Sequence, residues 1–437
     1  MAHSWWRVMT DVSGRVFFGW WVVLAAAIGL ATGIASVNLW TFGIFLKHLT
    51  GEFDWSRTEV SIVLLIGTIV TVLISPWIGR VVDRFGARRV ALPSIVLLAL
   101  TLASLYWLTP SLLHLYVVFA LMPIVGGGTS SVLFSRVVTF WFDRRRGFAL
   151  GLALTGVGIG AFVLPLYAQA LIDAFGWRLA YVGLGVLMLG VTLPVVALLL
   201  RDSPQTMGLL PDGAGHAPGA SRASGPVPGY SIDLARKQPR FWIMAATFCL
   251  VGFGLTGPML HLVPMLTDRG VSPELAAVAQ AVIGLSLIFG RVLAGWLMDR
   301  FFAPHVAIAF LLGPVIGIYV LASGATGWMA FASAALIGLA AGAEVDVIAY
   351  LSSRYFGMRA FGETYGWQYA AFTAGSGLAP AVTAAGFDQT GSYSSILIVL
   401  GSLLLVAIGL LTRLGPYPNW NFGSAVAATS RTAEEPG

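Results

Sequence analysis

The chain has 437 residues, of which 57% are hydrophobic and only 10% are charged, and its mean hydropathy is +0.85. Soluble globular domains carry about 25% charged residues, so this composition excludes a mainly water-exposed surface and indicates a membrane protein. The formal net charge of +6 is carried by arginine clusters between apolar segments, which is typical of membrane topology and excludes a nucleic-acid-binding face. The single cysteine, Cys249, excludes an intrachain disulfide scaffold.

Twelve apolar stretches of about 20 residues are long enough to cross roughly 30 Å of hydrocarbon as helices. The alternating ten-residue segments of a membrane β-barrel are not found, so we predict an all-α membrane protein with twelve transmembrane helices in two six-helix halves. The predicted spans lie near 18–46, 57–78, 90–108, 112–139, 147–172, 178–200, 241–266, 274–298, 305–323, 328–353, 362–386 and 394–412.

One long polar segment, Arg201–Arg240, separates the first six spans from the last six. It is rich in Gly, Pro and Ser, a composition that is typical of flexible linkers. The predicted domains are therefore a first half at 1–200, a cytoplasmic linker at 201–240, a second half at 241–412 and a cytoplasmic tail at 413–437.

The distribution of lysine and arginine predicts the orientation of the chain. With the N-terminus inside, the cytoplasmic segments hold 19 of these residues and the outer loops hold four, which are Lys47, Arg57, Arg178 and Arg269. Because positive charge accumulates on the cytoplasmic side, both termini are predicted to be cytoplasmic.

A loop motif occurs in both halves. GRVVDRFGARR, which follows span 2, recurs as GWLMDRF after span 8, as expected of two parallel repeats. The first copy resembles the signature G-x-x-x-D-R-x-G-x-R-R of the major facilitator superfamily, and this resemblance covers essentially the whole chain. It implies that the loop latches the inner ends of the helices and governs alternating access, and the Asp–Arg pair offers a switchable contact. The gating residues are Gly79, Asp83, Arg84, Gly86, Arg88 and Arg89, with Asp299 and Arg300 in the second copy.

Three further segments look like the branch of monocarboxylate transporters and oxalate/formate antiporters. They are FFGWWVV in span 1, EFDWSRTEVS before span 2, and WFDRRRGFALGLALTGVGIGA across spans 4 and 5. The resemblance implies transport of a small organic anion, a monocarboxylate, together with a proton. Within the second segment, the Ser56–Glu59 spacing predicts a capping box that begins span 2.

Arg291 lies within span 8, eight residues before Asp299 and thus roughly 12 Å inside the cytoplasmic boundary. That depth is too great for easy snorkelling to the surface. Similar transporters carry an arginine on this span that binds the substrate carboxylate, so the resemblance implies this role for Arg291. The alternative is a structural ion pair.

Span 10 contains two acids, Glu344 and Asp346, which point roughly 200° apart around a helix. Asp346 lies nine residues before Tyr355, roughly 13 Å deep and level with Arg291, which makes it the better partner for the arginine. Glu344 is the better candidate for a buried acid that carries a proton. The alternative is that one or both acids only hold helices together.

Other intramembrane polar residues are weaker candidates. We expect Arg136 to snorkel to the inner surface. His261 is a candidate gate or proton relay, although a lone polar residue near a helix end is more often structural. Polar groups that are candidates for lining a cavity are Asn38, Tyr365, Gln368 and Tyr369.

The sequence thus predicts a secondary transporter of the inner or plasma membrane that acts as a monomer in the lipid bilayer and needs neither cofactor nor metal. Alternatives within transport are anion exchange and export of a drug-like compound. A membrane receptor is more remote, and an enzyme is disfavoured because the polar residues are scattered and no nucleophile–base pair or metal cluster is found. No nucleic-acid partner is expected.

The loop charges generate a test of orientation. A reporter fused to the C-terminus should be cytoplasmic, whereas one inserted between Leu108 and Leu112 should be outside. Reporter activity or protease accessibility in intact cells measures both positions, and the opposite pattern would overturn the assignment of the spans.

Overall fold

A computed structural model describes residues 16–214 and 227–418, and this part of the chain is almost entirely helical. Each predicted span is occupied by one helix or by consecutive helices, which confirms the all-α fold class. The helices of spans 1–6 are Gly19–Ala31 with Ile34–Trp40 and Phe42–Phe53, Arg57–Phe85, Ala87–Ser104, Leu112–Gly126 with Ser131–Trp141, Arg146–Phe175, and Trp177–Leu187 with Leu193–Leu199. Those of spans 7–12 are Pro239–Asp268, Pro273–Met298, Ala303–Ala322, Gly327–Phe356, Phe361–Thr390 and Tyr393–Leu411.

Eleven helical segments in the described residues are long and apolar enough to cross a membrane. The remaining span, span 11, has 30 residues but does not belong to this group. Its N-terminal half holds Glu363, Tyr365 and Gln368, all buried by neighbouring helices. Since it packs along spans 2 and 7, its polar residues face protein instead of lipid.

The sequence also predicted how span 2 begins. The Ser56 hydroxyl accepts the backbone N–H of Glu59 at 3.1 Å, and the Glu59 carboxylate accepts the backbone N–H of Ser56 at 2.8 Å. This reciprocal arrangement is the predicted capping box.

Span 1 differs from its prediction because it is broken into three helices and continues to Phe53. At the first break, the Thr32 hydroxyl donates to the Ile28 carbonyl at 3.2 Å and lies 2.7 Å from the Thr192 hydroxyl of span 6. The N–H of Ile34, at the start of the next helix, donates to the Thr129 hydroxyl of span 4 at 3.0 Å. Side chains of neighbouring spans therefore satisfy polar groups around the break, which is how membrane helices tolerate interruption.

The two halves meet chiefly through two pairs of spans, 2 with 11 and 5 with 8. Glycines allow this close approach: a Cβ at Gly79 would collide with the backbone of Gly362, and one at Gly147 would collide with that of Gly295. These contacts lie at the end of the bundle that holds Asp83, which we call the closed end.

Towards the opposite end, which we call the open end, spans 5 and 8 separate. The contact face of span 5 continues from Gly158 to Phe162, whose side chain is 72% exposed. On span 8 the face continues from Ile288 to Leu285, which is 60% exposed. Spans 5 and 8 are therefore in contact towards one end only. The domain boundaries at 200, 240 and 412 stay a prediction.

Candidate functional site

Arg291 is buried between the two halves, close to the point at which spans 5 and 8 separate, and only 5% of it is exposed. Its Nε–H donates to the Gly342 carbonyl of span 10 at 3.0 Å, and its Nη1 donates to the Leu154 carbonyl of span 5. The Asp346 Oδ2 atom lies 3.8 Å from Nε. The structure thus brings together Arg291 and Asp346, which the rise per residue of a helix predicted to lie at the same depth.

Asp346 is fully buried, and neither carboxylate oxygen has a hydrogen-bond partner in the described part of the chain. The Tyr365 hydroxyl of span 11 and the Ser135 hydroxyl of span 4 are also buried. Neither the Tyr365 nor the Ser135 oxygen makes a hydrogen bond of regular geometry among those residues. Buried polar atoms are usually bonded, so an unsatisfied group of this size is typical of a site that binds a ligand or water.

Glu344 lies on a different face of span 10 from Asp346. It lines a largely apolar cavity inside the second half, between spans 7, 9, 10 and 12, with Phe248, Phe310 and Val347 among the other lining residues. Its Oε2 is buried and makes no hydrogen bond to a described residue. The two acids of span 10 therefore lie in different environments, as their angular separation on the helix requires.

The remaining candidates divide into two groups. Gln368 is buried and donates to the Phe241 carbonyl of span 7 at 3.1 Å, and the Tyr369 ring lies 6.0 Å from that of Tyr365. Asn38 adjoins Gly67 of span 2.

His261 is tied to other parts of the second half. Its Nε2–H donates to the Pro380 carbonyl at 3.1 Å, and its ring lies 5.8 Å from that of Tyr393. None of the described contacts of His261 or Asn38 reaches Arg291.

At the closed end, Asp83 fixes the start of span 11. Its carboxylate accepts the backbone N–H groups of Gly362 and Glu363 at 3.1 and 3.0 Å. The same carboxylate accepts Arg136 Nε–H at 2.7 Å. The expectation that Arg136 snorkels to the surface is therefore wrong, because an acid of span 2 lies within its reach. An anion at a helix N-terminus is favourable since the free N–H groups and the helix dipole both point at it.

Asp299 makes the corresponding contact on the other side. Its carboxylate accepts the N–H groups of Gly147 and Phe148, which begin span 5, at 2.7 and 2.9 Å. Burial raises the pKa of Asp299 to about 6, although the hydrogen bonds from Phe148 and Gly147 act in the opposite direction. Each half therefore supplies one acid that caps a helix of the other half.

Among the other motif residues, Gly79 contacts the opposite half, whereas Arg84 and Arg300 contact aromatic rings of their own half. Gly79 permits the close approach to Gly362, and the Arg84 guanidinium lies 5.3 Å from the centre of the Phe85 ring. Arg300 lies 3.9 Å from the centre of the Trp296 ring.

The end of the motif adjoins the start of the linker. Gly86 has a φ of 85° and lies beside Asp202, which accepts the N–H of Arg88 at 3.0 Å. Arg89 is exposed.

Sequence reasoning missed a second ionic contact at the closed end. Glu363 accepts Arg80 Nε–H at 3.0 Å from the other half, and Arg236 Nη2 of the linker lies 3.5 Å from the same carboxylate. The Arg236 guanidinium also lies 4.5 Å from the centre of the Trp367 ring. The only sequence signal was an acid in the first turn of span 11, which is common in helices generally.

The described parts of the linker contact the bundle, and the prediction of a flexible linker stays a prediction. Asp212 accepts the N–H groups of the loop 143–145, and a short helix forms at Ile232–Lys237. The Tyr230 N–H donates to the Phe356 carbonyl at 2.9 Å. Most of the Gly- and Pro-rich stretch, residues 215–226, lies outside the described residues.

The caps at the closed end generate a prediction for Asp83→Asn. An amide keeps the shape but loses the charge opposite Arg136 and one strong acceptor, so we expect the closed end to open more readily while substrate affinity stays nearly unchanged. The loss should be about 1–3 kcal/mol of stabilisation of the closed end.

Substrate binding and the accessibility of a cysteine at the closed end measure the two effects separately. Asp388→Asn, an exposed position near the other end of span 11, is the matched control. Selective loss of binding with an unchanged conformational equilibrium would count against the assignment.

Comparison with known proteins gives the family. The sequence matches the Major Facilitator Superfamily over residues 28–380 and 262–434. It is 30% identical over 417 residues to monocarboxylate transporter 11 of Homo sapiens, covering 91% of this chain and 85% of that protein, and 29% identical over 404 residues to monocarboxylate transporter 13 of Bos taurus, covering 91% and 89%.

Solved transporters share the fold. The fucose:proton symporter FucP of E. coli has a TM-score of 0.65 at 18% identity, covering 91% of this chain and 98% of that chain. The proton:xylose symporter XylE has a TM-score of 0.70 at 15% identity, covering 92% and 96%. The family and these relatives are transporters, which confirms the expectation that the chain is not an enzyme. The chain is a multi-pass membrane transporter and belongs to the Major Facilitator Superfamily.

Proposed function

We propose that the protein moves a small organic anion, a monocarboxylate, across the inner or plasma membrane by alternating access, together with a proton. The observation that carries this proposal is the buried pair of Arg291 and Asp346 between the halves. The names of the relatives, monocarboxylate transporters 11 and 13, agree with an anionic substrate. Both termini are taken to be cytoplasmic and the monomer to be the functional unit, so the closed end is the cytoplasmic end.

A guanidinium is suited to hold a carboxylate in this position. Its planar fork offers parallel N–H donors that match two carboxylate oxygens, whereas lysine offers a point charge. Arg291 lies where the closed contact between spans 5 and 8 ends, so an anion entering from the open end would reach it. Rocking of the halves about this position would then expose the same site to the other side.

The acids of span 10 supply a reason for proton coupling. When a substrate carboxylate occupies Arg291, Asp346 loses its counter-ion, and an unpaired buried carboxylate is costly. Uptake of a proton removes that cost and links the two fluxes. Glu344, whose Oε2 makes no hydrogen bond to any described residue around its apolar cavity, is the second candidate for the proton.

The alternatives are anion exchange and export of a drug-like compound. A non-transporting receptor is a more remote alternative. Exchange would proceed without a pH gradient, whereas symport would accumulate substrate when one is imposed. A receptor would bind ligand without counterflow in proteoliposomes. A screen of carboxylates for uptake at two pH values comes first, because it identifies the substrate on which the variants are tested.

The variants separate anion binding from proton coupling. Arg291→Lys keeps the charge but loses the fork, so we expect anion affinity to fall about tenfold or more, and Arg291→Ala should nearly abolish transport. Glu344→Gln should retain counterflow and lose accumulation driven by a pH gradient. Asp346→Asn should be impaired in accumulation too, because it removes the partner of Arg291.

Proteoliposomes with an imposed pH gradient, compared with counterflow in the same preparation, measure these effects. Arg413→Lys and Glu274→Gln, both exposed, control for loss of the guanidinium and of a carboxylate. If Arg291→Ala transports normally, or if Glu344→Gln and Asp346→Asn both still accumulate substrate, the coupling scheme is wrong.

A further inference from the structure

Arg291 joins the two halves through its own hydrogen bonds. Its Nε–H is used by the Gly342 carbonyl in the same half, and its Nη1 donates to the Leu154 carbonyl in the other half. A hydrogen bond from a charged donor is stronger than one between neutral groups. The residue proposed to bind substrate is therefore also a tie between span 8 and span 5.

This tie lies at the edge of the closed contact. A Cβ at Gly151, one turn before Leu154, would come within 2.7 Å of the Arg291 carbonyl oxygen, so the two helices touch through their backbones there. Further along span 5, at Phe162, the corresponding face is already exposed. An anion that enters from the open end would meet Arg291 near the start of this contact, just beyond Gly158 and Ile288.

The geometry limits what the guanidinium can hold at one time. With Nε bound to Gly342, a carboxylate can take the fork side by side only through Nη1 and Nη2. Nη1 is the atom that holds the Leu154 carbonyl. Nη1 carries a second N–H, but a guanidinium that turns both Nη atoms towards a carboxylate must move relative to the Leu154 carbonyl. We propose that the substrate carboxylate draws Nη1 of Arg291 away from the Leu154 carbonyl, so that binding of the anion releases span 8 from span 5 and frees the closed end to open.

The other pair, spans 2 and 11, has no arginine at the corresponding depth. The position eight residues before Asp83, which corresponds to Arg291 before Asp299, is Ser75. The Ser75 hydroxyl donates to the Thr71 carbonyl of its own helix at 2.6 Å, and Gly366 packs on the Ser75 backbone. Release by an anion is therefore specific to spans 5 and 8, while spans 2 and 11 separate without it.

A consequence for transport follows from this release. In the empty protein the tie is intact and opposes opening of the closed end, whereas the loaded protein has lost it. The loaded protein should therefore change conformation faster than the empty one, and exchange of substrate should be faster than net uptake. This step rests on the proposed function, because it requires that Arg291 bind the anion.

The test measures the width of the closed end without and with anion. Spin labels at Arg144→Cys and Phe301→Cys, both exposed at that end on opposite halves, report the distance in a Cys249→Ser background by pulsed electron resonance in lipid nanodiscs. Without anion, Arg291→Met should raise the open fraction about tenfold over the parent protein. This change corresponds to the loss of one hydrogen bond to a charged group, at the lower end of the usual range of its strength. Arg413→Met should leave it unchanged. The double variant Arg291→Met/Asp346→Asn should also open, and it avoids an unpaired acid that could prevent folding.

Lactate, used as the probe monocarboxylate, should raise the open fraction of the parent protein but not further raise that of Arg291→Met. If both Arg291 variants stay as closed as the parent, the tie is overturned whatever the transport results are. If lactate undergoes counterflow in the parent protein yet leaves its closed end unchanged, the release is overturned while the proposed function stands. If the Arg291 variants open but no carboxylate undergoes counterflow, the tie stands and the anion function fails.

Discussion

The structure depends on the cost of keeping a guanidinium deep inside a bundle of apolar helices. Removing such a charge from water costs several kcal/mol even after the protein relaxes, so Arg291 must be surrounded by acceptors. Span 10 provides the Gly342 carbonyl and the Asp346 carboxylate, and span 5 provides the Leu154 carbonyl. Because these acceptors come from both halves, the requirement of one side chain brings three spans together at one depth.

The closed end uses the complementary arrangement, in which anions meet the positive ends of helices. Asp83 and Asp299 accept backbone N–H groups at the starts of spans 11 and 5. Each bond crosses between the halves and is directional, so it is lost when the helices rock apart. The deep arginine and the two acids of the closed end therefore stabilise the same conformation from different depths, while the glycines between them allow the backbones to touch.

Features that depend on local regularity could be predicted from the sequence. Span positions, the Ser56–Glu59 capping box and the common depth of Arg291 and Asp346 follow from apolar length and the constant rise of a helix. The family resemblance rested on the spacing around Asp83. The functional roles of the site residues stay predictions.

Features that depend on contacts between distant residues could not be predicted. Arg136 pairs with Asp83 across 53 positions, and Glu363 pairs with Arg80 across 283, so neither partner is visible in local sequence. The linker composition indicated flexibility, and the contact of one of its acids, Asp212, with the loop 143–145 could not be read from that composition. The first break in span 1 likewise involves hydroxyls from spans 4 and 6.

The central claim is that Arg291 recognises the negative charge of the substrate. Counterflow of labelled lactate in proteoliposomes, in competition with unlabelled lactate or with its uncharged amide, lactamide, tests this most directly because the two competitors differ mainly in charge. The account predicts that lactate competes and lactamide does not in the wild-type protein. Equal competition by lactamide would contradict it.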